Sequence, residues 1–544
     1  MLKVYLKPTA IWLAPYKRGM IPALEKTLSV FDPLAGHYKS FLYQFEKDDS
    51  MEKGFGVFKV PRGIGIEVVE EMIEQMGLEY KLIDDTNKTP YPRQTHLQMF
   101  VGPRNKIQED GLDFLNENEQ QKFVCMDVGF GKTYVATNHI VQSHKAAMVI
   151  SYNLTRQWFD KISEYTNAVN GRDVVMVTSA AYLEDCVKGR SKQTAAIYLV
   201  SITTLELYAK EHGWDSLQKI VDVLGIGIKV FDEAHNRYLQ FNAIDVNMQV
   251  EETIYLSATP GRSQYTENKM FSKIYSHVKT FGSFTQKLND YYVIRFITVD
   301  SHSMAKDRAG MKNMRGFNSQ KYVDYLLQKY HNEVMEMIME YAKPILDEGP
   351  GNKILIVIDW LKYIQSAQEY FKKYYPEYSC GAFCVIKGVN TIRTRESELN
   401  KQIILGTIGS MQNGRDIPGL RAVFTLTQFS SNIVAQQLLG RLRRIKDKDV
   451  YYYDIADRSV PDTLNMRFRR RRVFDYKSKC EIFNDEIDLD TISVQEETSK
   501  FLLDKLGPTS TLLGVMPERQ AIPFRRIMGM YPSCMENLNQ MLYG

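Results

Sequence analysis

Hydrophobic positions along this chain form two blocks in which short apolar runs alternate with amphipathic stretches. In the first block, residues 101–262, the apolar runs are 123–126, 146–151, 197–201, 228–232 and 254–256. In the second block, residues 346–475, they are 354–358, 383–386, 403–405, 422–426 and 450–453. Short apolar runs separated by helical patterns are typical of βαβ units around a parallel sheet. We therefore predict an α/β fold with two parallel-sheet domains in tandem.

Three further segments lack this alternation. Residues 1–100 predict an N-terminal accessory α/β domain that is a candidate for DNA binding, with a strand at 57–60, a helix at 64–76 and a returning strand at 80–83. Residues 263–345 predict a partly helical connector, with a long helix beginning near Tyr322. Residues 476–544 form a C-terminal extension that opens with acidic residues.

Composition and charge narrow the class of protein. Of the 544 residues, 44% are hydrophobic and 25% are charged, which is ordinary for a globular protein and excludes a disordered chain or a collagen. Lys and Arg number 69 and Asp and Glu 65, so the net charge of 69 − 65 = +4 requires any nucleic acid to be bound by local positive charge. No apolar run approaches the ~18 residues of a membrane span, and we read no secretory signal. We expect a cytoplasmic protein, in the host cytoplasm if the chain is viral.

The six cysteines are too scattered to suggest a zinc site. No Cys-x-x-Cys pair occurs, and only Cys380 and Cys384 are close in the sequence. We therefore expect no structural zinc and predict free thiols in a reducing compartment.

A phosphate-binding loop follows the strand at 123–126. Gly129 and Gly131 would let backbone N–H groups approach phosphate oxygens, Lys132 would reach the β- and γ-phosphates, and Thr133 would ligate Mg²⁺. Met126 stands where the full pattern G-x-x-x-x-G-K-[ST] has its first glycine. A purely structural turn is the alternative interpretation of this segment.

A pair of carboxylates, Asp232 and Glu233, follows the predicted strand residues 228–231. Ligands bind at the carboxyl ends of parallel strands, where Asp232 would hold Mg²⁺ and Glu233 would orient the attacking water. A solvated acidic turn is the alternative.

Together with further motifs in the same order, these segments resemble superfamily 2 helicases and translocases. Asp232-Glu233-Ala234-His235 spells the DEAH box of that family. Other matches are Gln108 at the adenine-reading position, 257–259 at the Ser-Ala-Thr motif, Thr407 with 414–418, and 437–444 at Q-x-x-G-R-x-x-R. The motifs cover residues 104–445. The resemblance implies two RecA-like domains, with ATP and Mg²⁺ as cofactors.

The resemblance also implies a role for each matched residue. The catalytic residues would be Lys132, Asp232, Glu233, Gln437, Arg441 and Arg444, and Gly414 and Asp416 would join Gln108 in contacting the nucleotide. His235, Ser257 and Thr259 would couple hydrolysis to movement. Arg441 and Arg444 are three residues apart and would share one face of a helix, from which an arginine could neutralise the transferring phosphoryl group.

The same comparison suggests where nucleic acid would bind. The matched positions are Gln157, Thr203, Thr204 and Thr407, where hydroxyl and amide groups would contact the backbone without distinguishing base sequence. Helix capping is an alternative for the two threonines after the strand at 197–201. Trp158 lies in the same matched segment, 151–158, but it follows Leu154 by four residues, which is more typical of core packing. The basic run 467–472 could clamp phosphates, form a solvated helix face, or pair with the acidic residues 485–490.

Within the superfamily, two subgroups resemble this chain. Residues 104–115 and 129–133 are similar to Swi/Snf-type translocases, whereas residues 60–63, the compact size and the spelling of 437–444 are more similar to phage UvsW-type and XPB-like DNA helicases. We expect an ATP-dependent helicase that unwinds or branch-migrates forked DNA. The alternatives are a double-strand translocase that remodels protein–DNA complexes, an RNA helicase, and a nucleic-acid-binding module with a degenerate motor. Protein partners cannot be identified from the sequence.

Overall fold

The structure is a computed structural model, and it describes most of the chain up to residue 494. Excepted are residues 16–17, 33–36, 42–43, 48–55, 87–95, 128, 153–154, 192–193, 259–264, 283–291, 315, 385–396, 412–416, 444, 446–447, 478–480 and everything from 495 onward. The chain divides into two compact units between residues 284 and 285, and each unit is described by itself.

The first unit begins with a small α/β domain. Its sheet has five strands in the order β5-β6-β2-β1-β7. The strands are β1 (Leu2–Leu6), β2 (Ala10–Ala14), β5 (Gln44–Lys47), β6 (Gly56–Pro61) and β7 (Tyr80–Asp84), and β3 (Ser29–Asp32) pairs with β4 (His37–Phe41) in a separate two-stranded sheet. The helices are α1 (Ile21–Leu28) and α2 (Ile66–Gln75). The strand, helix and returning strand predicted at 57–83 are thus present, and the hairpin of β1 and β2 is an addition to that prediction.

This N-terminal domain packs directly against the domain that follows it in the first unit. The Thr9 hydroxyl donates to the Asp245 carbonyl at 2.7 Å, and the Lys59 ammonium donates to Asn247 Oδ1 at 2.7 Å. At Gly63 a β-carbon would lie 2.3 Å from the Ile274 carbonyl oxygen, so only glycine fits this turn. The turn at residues 61–63 therefore contributes to docking within the first unit.

The rest of the first unit is built around a parallel sheet of seven strands in the order β10-β11-β9-β12-β13-β8-β14. The strands are β8 (Gln121–Cys125), β9 (Ala146–Ser151), β10 (Val174–Val177), β11 (Ile197–Ser201), β12 (Ile226–Phe231), β13 (Glu252–Ser257) and β14 (Lys279–Gly282). The helices are α3 (Lys106–Leu115), α4 (Lys132–Ser143), α5 (Thr155–Tyr165), α6 (Ala180–Val187), α7 (Ile202–His212), α8 (Ser216–Leu224), α9 (Tyr238–Asp245) and α10 (Tyr265–Ile274). Alternate residues of β9 enter two separate apolar clusters, which explains why its sequence is apolar throughout.

The second unit contains another seven-stranded sheet, in the order β19-β20-β18-β21-β22-β15-β23. Its strands are β15 (Tyr292–Asp300), β18 (Lys353–Val357), β19 (Cys380–Phe383), β20 (Ile403–Gly406), β21 (Leu420–Thr425), β22 (Val450–Asp457) and β23 (Glu481–Asp488), and a hairpin joins β16 (Lys312–Asn313) to β17 (Gly316–Phe317). The helices are α11 (Ala305–Gly310), α12 (Ser319–Lys329), α13 (His331–Asp347), α14 (Leu361–Tyr374), α15 (Ile408–Met411), α16 (Asn432–Leu439) and α17 (Pro461–Lys477). The α/β fold with two tandem parallel sheets is confirmed.

Two strands of the second sheet lie in segments that the sequence pattern had assigned elsewhere. β15 belongs to the stretch 263–345, which was expected to be a connector, and β23 belongs to the C-terminal stretch 476–544. Both pair in parallel, β15 with β22 and β23 with β15. The alternation of strands and helices was too interrupted around these strands to reveal them.

The cysteines and the helix lengths can be compared with the sequence predictions. Cys125, Cys186, Cys380 and Cys384 are buried, and Cys480 and Cys534 lie outside the described residues. Across the described ranges, none of the helices combines the length and the apolar character that a membrane crossing requires.

The basic run 467–472 has a structural role in the second unit. Arg467 and Arg470 on α17 are buried, and both donate to the Asp454 carboxylate on β22, at 3.0 and 2.7 Å. Burial alone would raise the pKa of Asp454, but the charges and hydrogen bonds of Arg470 and Arg467 outweigh it and lower this pKa. The predicted pairing of the basic run with residues 485–490 is therefore wrong for Arg467 and Arg470, whose partner is Asp454. Arg469 and Arg471 are exposed.

This buried cluster generates a stability prediction. Asp454→Asn leaves two guanidinium groups buried without a counter-charge, so it should lower the free energy of unfolding by about 3–5 kcal/mol. Because the pKa of Asp454 is lowered, the difference between wild type and variant should persist at neutral pH and shrink as the pH falls below about 4. Urea denaturation followed by circular dichroism measures both effects. The control Glu486→Gln, at a side chain that is 74% exposed, should change stability by less than about 0.5 kcal/mol.

Candidate functional site

Strand pairing in the first unit brings the predicted motifs to one edge of the sheet. β13 pairs in parallel with β12 on one side and with β8 on the other. The register places Tyr255 beside Phe231 and Ser257 beside Cys125. Neighbouring strands are about 4.8 Å apart, so the segments that leave the carboxyl ends of these three strands adjoin one another.

The loop between β8 and α4 has the backbone of an anion site. Gly129 and Gly131 have φ angles of 94° and 96°, in the region that favours glycine. Gly131 is the N-cap of α4 and supplies no side-chain hydrogen bond, so the first N–H groups of the helix lack a side-chain cap. A helix N-terminus of this kind is suited to phosphate.

Met126, the departure from the loop pattern, continues the β8 ladder. Its N–H donates to the Ser257 carbonyl at 3.1 Å, and its own carbonyl accepts from the Lys132 ammonium at 3.0 Å. It is not among the residues with positive φ, so its backbone conformation does not require glycine. Methionine in place of the pattern's first glycine is therefore compatible with the observed backbone of the loop.

Gln108 on α3 fixes the position of this loop. Its amide donates to the Phe130 carbonyl at 2.9 Å and accepts from the Arg104 N–H at 2.8 Å. It also lies so close to Gly131 that a β-carbon there would be 2.3 Å from the Gln108 nitrogen. In this structure the oxygen and the nitrogen of the Gln108 side chain both form hydrogen bonds with backbone groups. Adenine recognition by Gln108 stays a prediction.

Asp232 leaves the end of β12 beside the loop. It is buried, its Oδ1 accepts from the Glu233 N–H at 2.9 Å, and its Oδ2 accepts from Trp158 Nε1 at 2.7 Å. Burial and the adjacent charge of Glu233 raise the pKa of Asp232 to about 6, while the Trp158 hydrogen bond and the charge of Lys132 act in the opposite direction. The carboxylate therefore lies within the electrostatic influence of the Lys132 ammonium.

The residues at this edge fit a magnesium nucleotide. Mg²⁺ prefers hard oxygen ligands and is commonly held by one or two protein oxygens together with phosphates and water. Asp232 supplies a carboxylate, and the partly exposed Thr133 is the second residue of α4, directly after the loop. Glu233 Oε2 is buried and makes no hydrogen bond within the described part of the chain, although His235 Nδ1 lies within ion-pair distance of it. The donor set suits Mg²⁺ better than a softer metal.

Glu233, His235 and Ser257 form a connected group. Glu233 has a φ of 52°, which is uncommon for a residue with a side chain and re-aims the backbone after the strand. His235 Nδ1 lies 3.3 Å from Glu233 Oε2 and 2.8 Å from the Ser257 hydroxyl. Since the Ser257 carbonyl also accepts from Met126, Ser257 contacts both the carboxylate motif and the phosphate loop. Thr259, the other predicted coupling residue, lies outside the described residues.

The motif predicted at 437–444 is only partly helical in the second unit. Gln437 lies on α16 and is buried, and Arg441, which is also buried, follows the end of that helix at Leu439. The prediction that Arg441 lies on a helix is therefore wrong, because α16 ends at Leu439 before this residue. Arg444, Gly414 and Asp416 lie outside the described residues.

The candidate nucleic-acid residues differ in the exposure and the hydrogen bonds of their side chains. In the first unit, Ser201 is the N-cap of α7 and bonds both the N–H and the hydroxyl of Thr204, whereas Thr203 is exposed. Gln157 lies in the first turn of α5 and is partly buried. In the second unit, Thr407 exchanges hydrogen bonds with Ser410 at the start of α15. Ser201, and neither threonine, is thus the N-cap of α7, and the hydrogen bonds within these turns do not test contact with nucleic acid, which stays a prediction for all four residues.

Trp158 is a site residue whose role sequence analysis missed. It is buried, as core packing predicts, yet its indole N–H reaches the Asp232 carboxylate. The sequence held a partial signal, since the helix after β9 is available to pack against the neighbouring strand in a parallel sheet. The adjacency of β9 and β12, which brings the two residues together, is known only from the fold.

The loop geometry generates a testable prediction at Gly131. Gly131→Ala introduces a side chain at positive φ, at a cost of about 1–2 kcal/mol, and displaces Gln108. The affinity for a fluorescent ADP analogue, measured by equilibrium titration, should therefore fall about tenfold or more. The matched control Gly102→Ala has open space around the new methyl group and should bind like wild type. Equal affinities of wild type and Gly131→Ala would contradict this description of the loop.

Part of the first unit matches a known protein family. Residues 67–262 match the protein family described as "Type III restriction enzyme, res subunit". None of the curated proteins compared with the chain matches it.

Among solved structures, the chain is similar to UvsW from T4, at 13% identity and a TM-score of 0.33 over 90% of this chain and 99% of that one. It is similar to Dbp5 from S. cerevisiae, solved bound to RNA and ADP BeF3, at 15% identity and a TM-score of 0.46 over 75% of this chain and 95% of that one. It is also similar to the Hef helicase domain from Pyrococcus furiosus, at 14% identity and a TM-score of 0.42 over 67% and 97% of the two chains.

The family match covers the phosphate loop and the DEAH box, which are adjacent in the fold of the first unit. Taken with the ordered motifs, it supports the resemblance of this chain to helicases of superfamily 2.

Proposed function

We propose that this chain is an ATP-dependent DNA helicase that translocates on DNA and unwinds or branch-migrates forked substrates. The observation that carries the proposal is the arrangement at the edge of the first sheet. A glycine loop at a helix N-terminus, the Lys132 ammonium and the buried Asp232 carboxylate lie together there, and the Ser257 contact joins them to His235. This combination is suited to binding and cleaving a nucleoside triphosphate.

Each residue of the first unit has a distinct proposed task. The N–H groups that follow Gly131 hold phosphate oxygens, and Lys132 exchanges its bond to the Met126 carbonyl for the β- and γ-phosphates. Asp232 and Thr133 hold Mg²⁺, which when bound neutralises charge on the phosphates. Glu233 orients the attacking water and accepts its proton.

The tasks proposed for the second unit rest on the resemblance of its motifs. Gln437, Arg441 and Arg444 act on the γ-phosphoryl group, where an arginine contributes about 10³–10⁵ in rate in related phosphoryl transfers. Gly414 and Asp416 contact the nucleotide, and Thr407 contacts the nucleic-acid backbone.

The choice of forked DNA as substrate rests on the subgroup resemblance of residues 60–63 and 437–444. In the first unit, the exposed Thr203 and the α5 turn with Gln157 follow neighbouring strands, β11 and β9, so they offer adjacent backbone contacts. The ordinary backbone of Met126 favours an active motor over the degenerate alternative, whose support was that residue.

The proposal predicts the substrate dependence of ATP hydrolysis. Hydrolysis should be stimulated most by a fork or a four-way junction, compared with single strands, blunt duplex, RNA or no nucleic acid. Lys132→Ala should lower kcat by about 10²-fold or more, because it removes a charge aimed at the phosphates. Steady-state rates and a fork-unwinding assay measure these effects.

Three results would contradict the proposal and favour a named alternative. Equal or greater stimulation by blunt duplex, with triplex displacement but no fork unwinding, would favour the double-strand translocase. Stimulation by RNA alone would favour an RNA helicase. No hydrolysis on any nucleic acid would favour the binding module.

Coupling through Ser257 gives a second prediction. Ser257→Ala removes the hydroxyl that contacts His235, so it should lower the number of base pairs unwound per ATP hydrolysed by about 5-fold to 100-fold. Parallel unwinding and hydrolysis assays measure this ratio. The control Thr253→Ala lies on the same strand, also buried, and its hydroxyl makes no hydrogen bond within the described residues, so it should keep the wild-type ratio. An unchanged ratio in Ser257→Ala would remove the basis for a coupling role.

A further inference from the structure

Trp158, on helix α5, donates a hydrogen bond to the Asp232 carboxylate at the end of β12. The two side chains are separated by 74 residues in sequence, yet Trp158 Nε1 donates to Asp232 Oδ2 at 2.7 Å. Both side chains are buried, at 1% and 6% exposure. The bond is therefore shielded from competing water, which makes it a strong constraint on the carboxylate.

The two hydrogen bonds to Asp232 together fix the plane of its carboxylate. The Glu233 N–H binds Oδ1 at 2.9 Å and the Trp158 N–H binds Oδ2 at 2.7 Å, so neither oxygen can rotate without losing a donor. Each oxygen retains a further lone pair for a metal or for a metal-bound water. Removal of the Trp158 donor would leave the carboxylate attached on one side only.

The helix that carries Trp158 also carries a candidate nucleic-acid contact. α5 follows β9, and β9 lies next to β12, whose end carries Asp232. Gln157 precedes Trp158 in the first turns of the helix, and its Oε1 is buried without a hydrogen bond within the described residues. A helix is stiff over so short a distance, so a displacement at Gln157 moves the indole with it.

We propose that Trp158 is a positioning residue whose indole N–H orients Asp232 for Mg²⁺ and transmits nucleic-acid contact at the first turn of α5 to that carboxylate. This inference rests on the proposed function, because it takes Asp232 as the Mg²⁺ ligand and Gln157 as a contact to nucleic acid. It adds a physical connection between the two ligands within the first unit. Linkage then requires that each ligand alter the affinity of the other.

Core packing is the competing role, and it makes a different prediction. The Trp158 ring belongs to an apolar cluster that includes Ile162, Tyr165 and Val230. If packing were its whole role, replacement would affect stability and nucleotide binding with or without Mg²⁺. Phenylalanine separates the roles, because it keeps an aromatic ring in the cluster but has no N–H donor.

The test is equilibrium binding of a fluorescent N-methylanthraniloyl ADP to the full chain, titrated with Mg²⁺ and repeated in EDTA. In Trp158→Phe, the Mg²⁺ concentration for half-maximal enhancement of binding should rise about 10-fold to 100-fold, the range expected for a lost hydrogen bond to a charged group. Affinity in EDTA should stay within about twofold, because the phosphate loop is unchanged. Addition of forked DNA should shift the Mg²⁺ titration of wild type but not that of the variant.

Two further proteins make the test specific to the N–H group. Benzothienylalanine at position 158 keeps the shape of the indole and replaces its N–H by sulfur, so it should behave like Trp158→Phe. The control Trp214→Phe changes a partly buried tryptophan that packs against a different apolar cluster of the first unit, and it should titrate like wild type.

Each other outcome overturns a defined part of the account. A wild-type Mg²⁺ titration in Trp158→Phe, or wild-type behaviour of the benzothienyl protein, would overturn the positioning role. Equal losses in EDTA and in Mg²⁺ would assign Trp158 to packing alone. A DNA shift that persists in the variant would overturn the transmission. Wild-type protein that binds no nucleotide would overturn the proposed function as well, whereas the other outcomes leave it intact.

Discussion

Pairing of β13 with both β8 and β12 is the constraint on which the rest of the candidate site depends. It brings together two segments that are about one hundred residues apart in sequence, the phosphate loop after β8 and the carboxylates after β12. Ser257, at the end of β13, contacts both sides, through its carbonyl to Met126 and its hydroxyl to His235. A parallel sheet thus converts strand register into the relative position of an ammonium, a carboxylate and a histidine.

Buried charges at the opposite edge of the first sheet, where its strands begin, join α4 to the strands that carry the site. Glu252 at the start of β13 bonds Lys122 on β8 at 2.7 Å and His139 on α4 at 2.9 Å, so α4 is tied to both strands beneath the loop. Burial opposes ionisation of Glu252, but the hydrogen bond and charge of His139, with the charge of Lys122, lower its pKa overall. The loop itself is held by lighter contacts, through Gln108 and the Lys132 bond to Met126. The loop is thus held by hydrogen bonds to backbone carbonyls, whereas the strands and the helix that carry it are joined by buried charges.

Sequence pattern predicted the two parallel sheets and the motifs, because buried strands are continuously apolar and motif residues keep their spacing. It could not predict contacts that depend on strand order. Trp158 is an example, since its spacing in the helix is that of a core residue and its partner Asp232 lies on a neighbouring strand. Arg467 and Arg470 are a second example. A run of arginines suggests an exposed surface, but these two side chains are buried because both bond the single buried Asp454 on β22. Arg441 shows the limit of periodicity, as α16 ends at Leu439 before the spacing argument applies.

The central claim is that the loop at Gly129 to Thr133 and the carboxylates at Asp232 and Glu233 form one magnesium–nucleotide site. A crystal structure of Glu233→Gln with ATP and Mg²⁺ tests it most directly, because this change keeps the shape of the water-orienting side chain while removing its charge. The account predicts phosphates on the N–H groups at the start of α4, with Lys132 released from the Met126 carbonyl. It also predicts Mg²⁺ beside Thr133 and Asp232, with the Trp158 hydrogen bond retained. A nucleotide bound elsewhere, or bound at the loop with Mg²⁺ remote from Asp232, would contradict the claim.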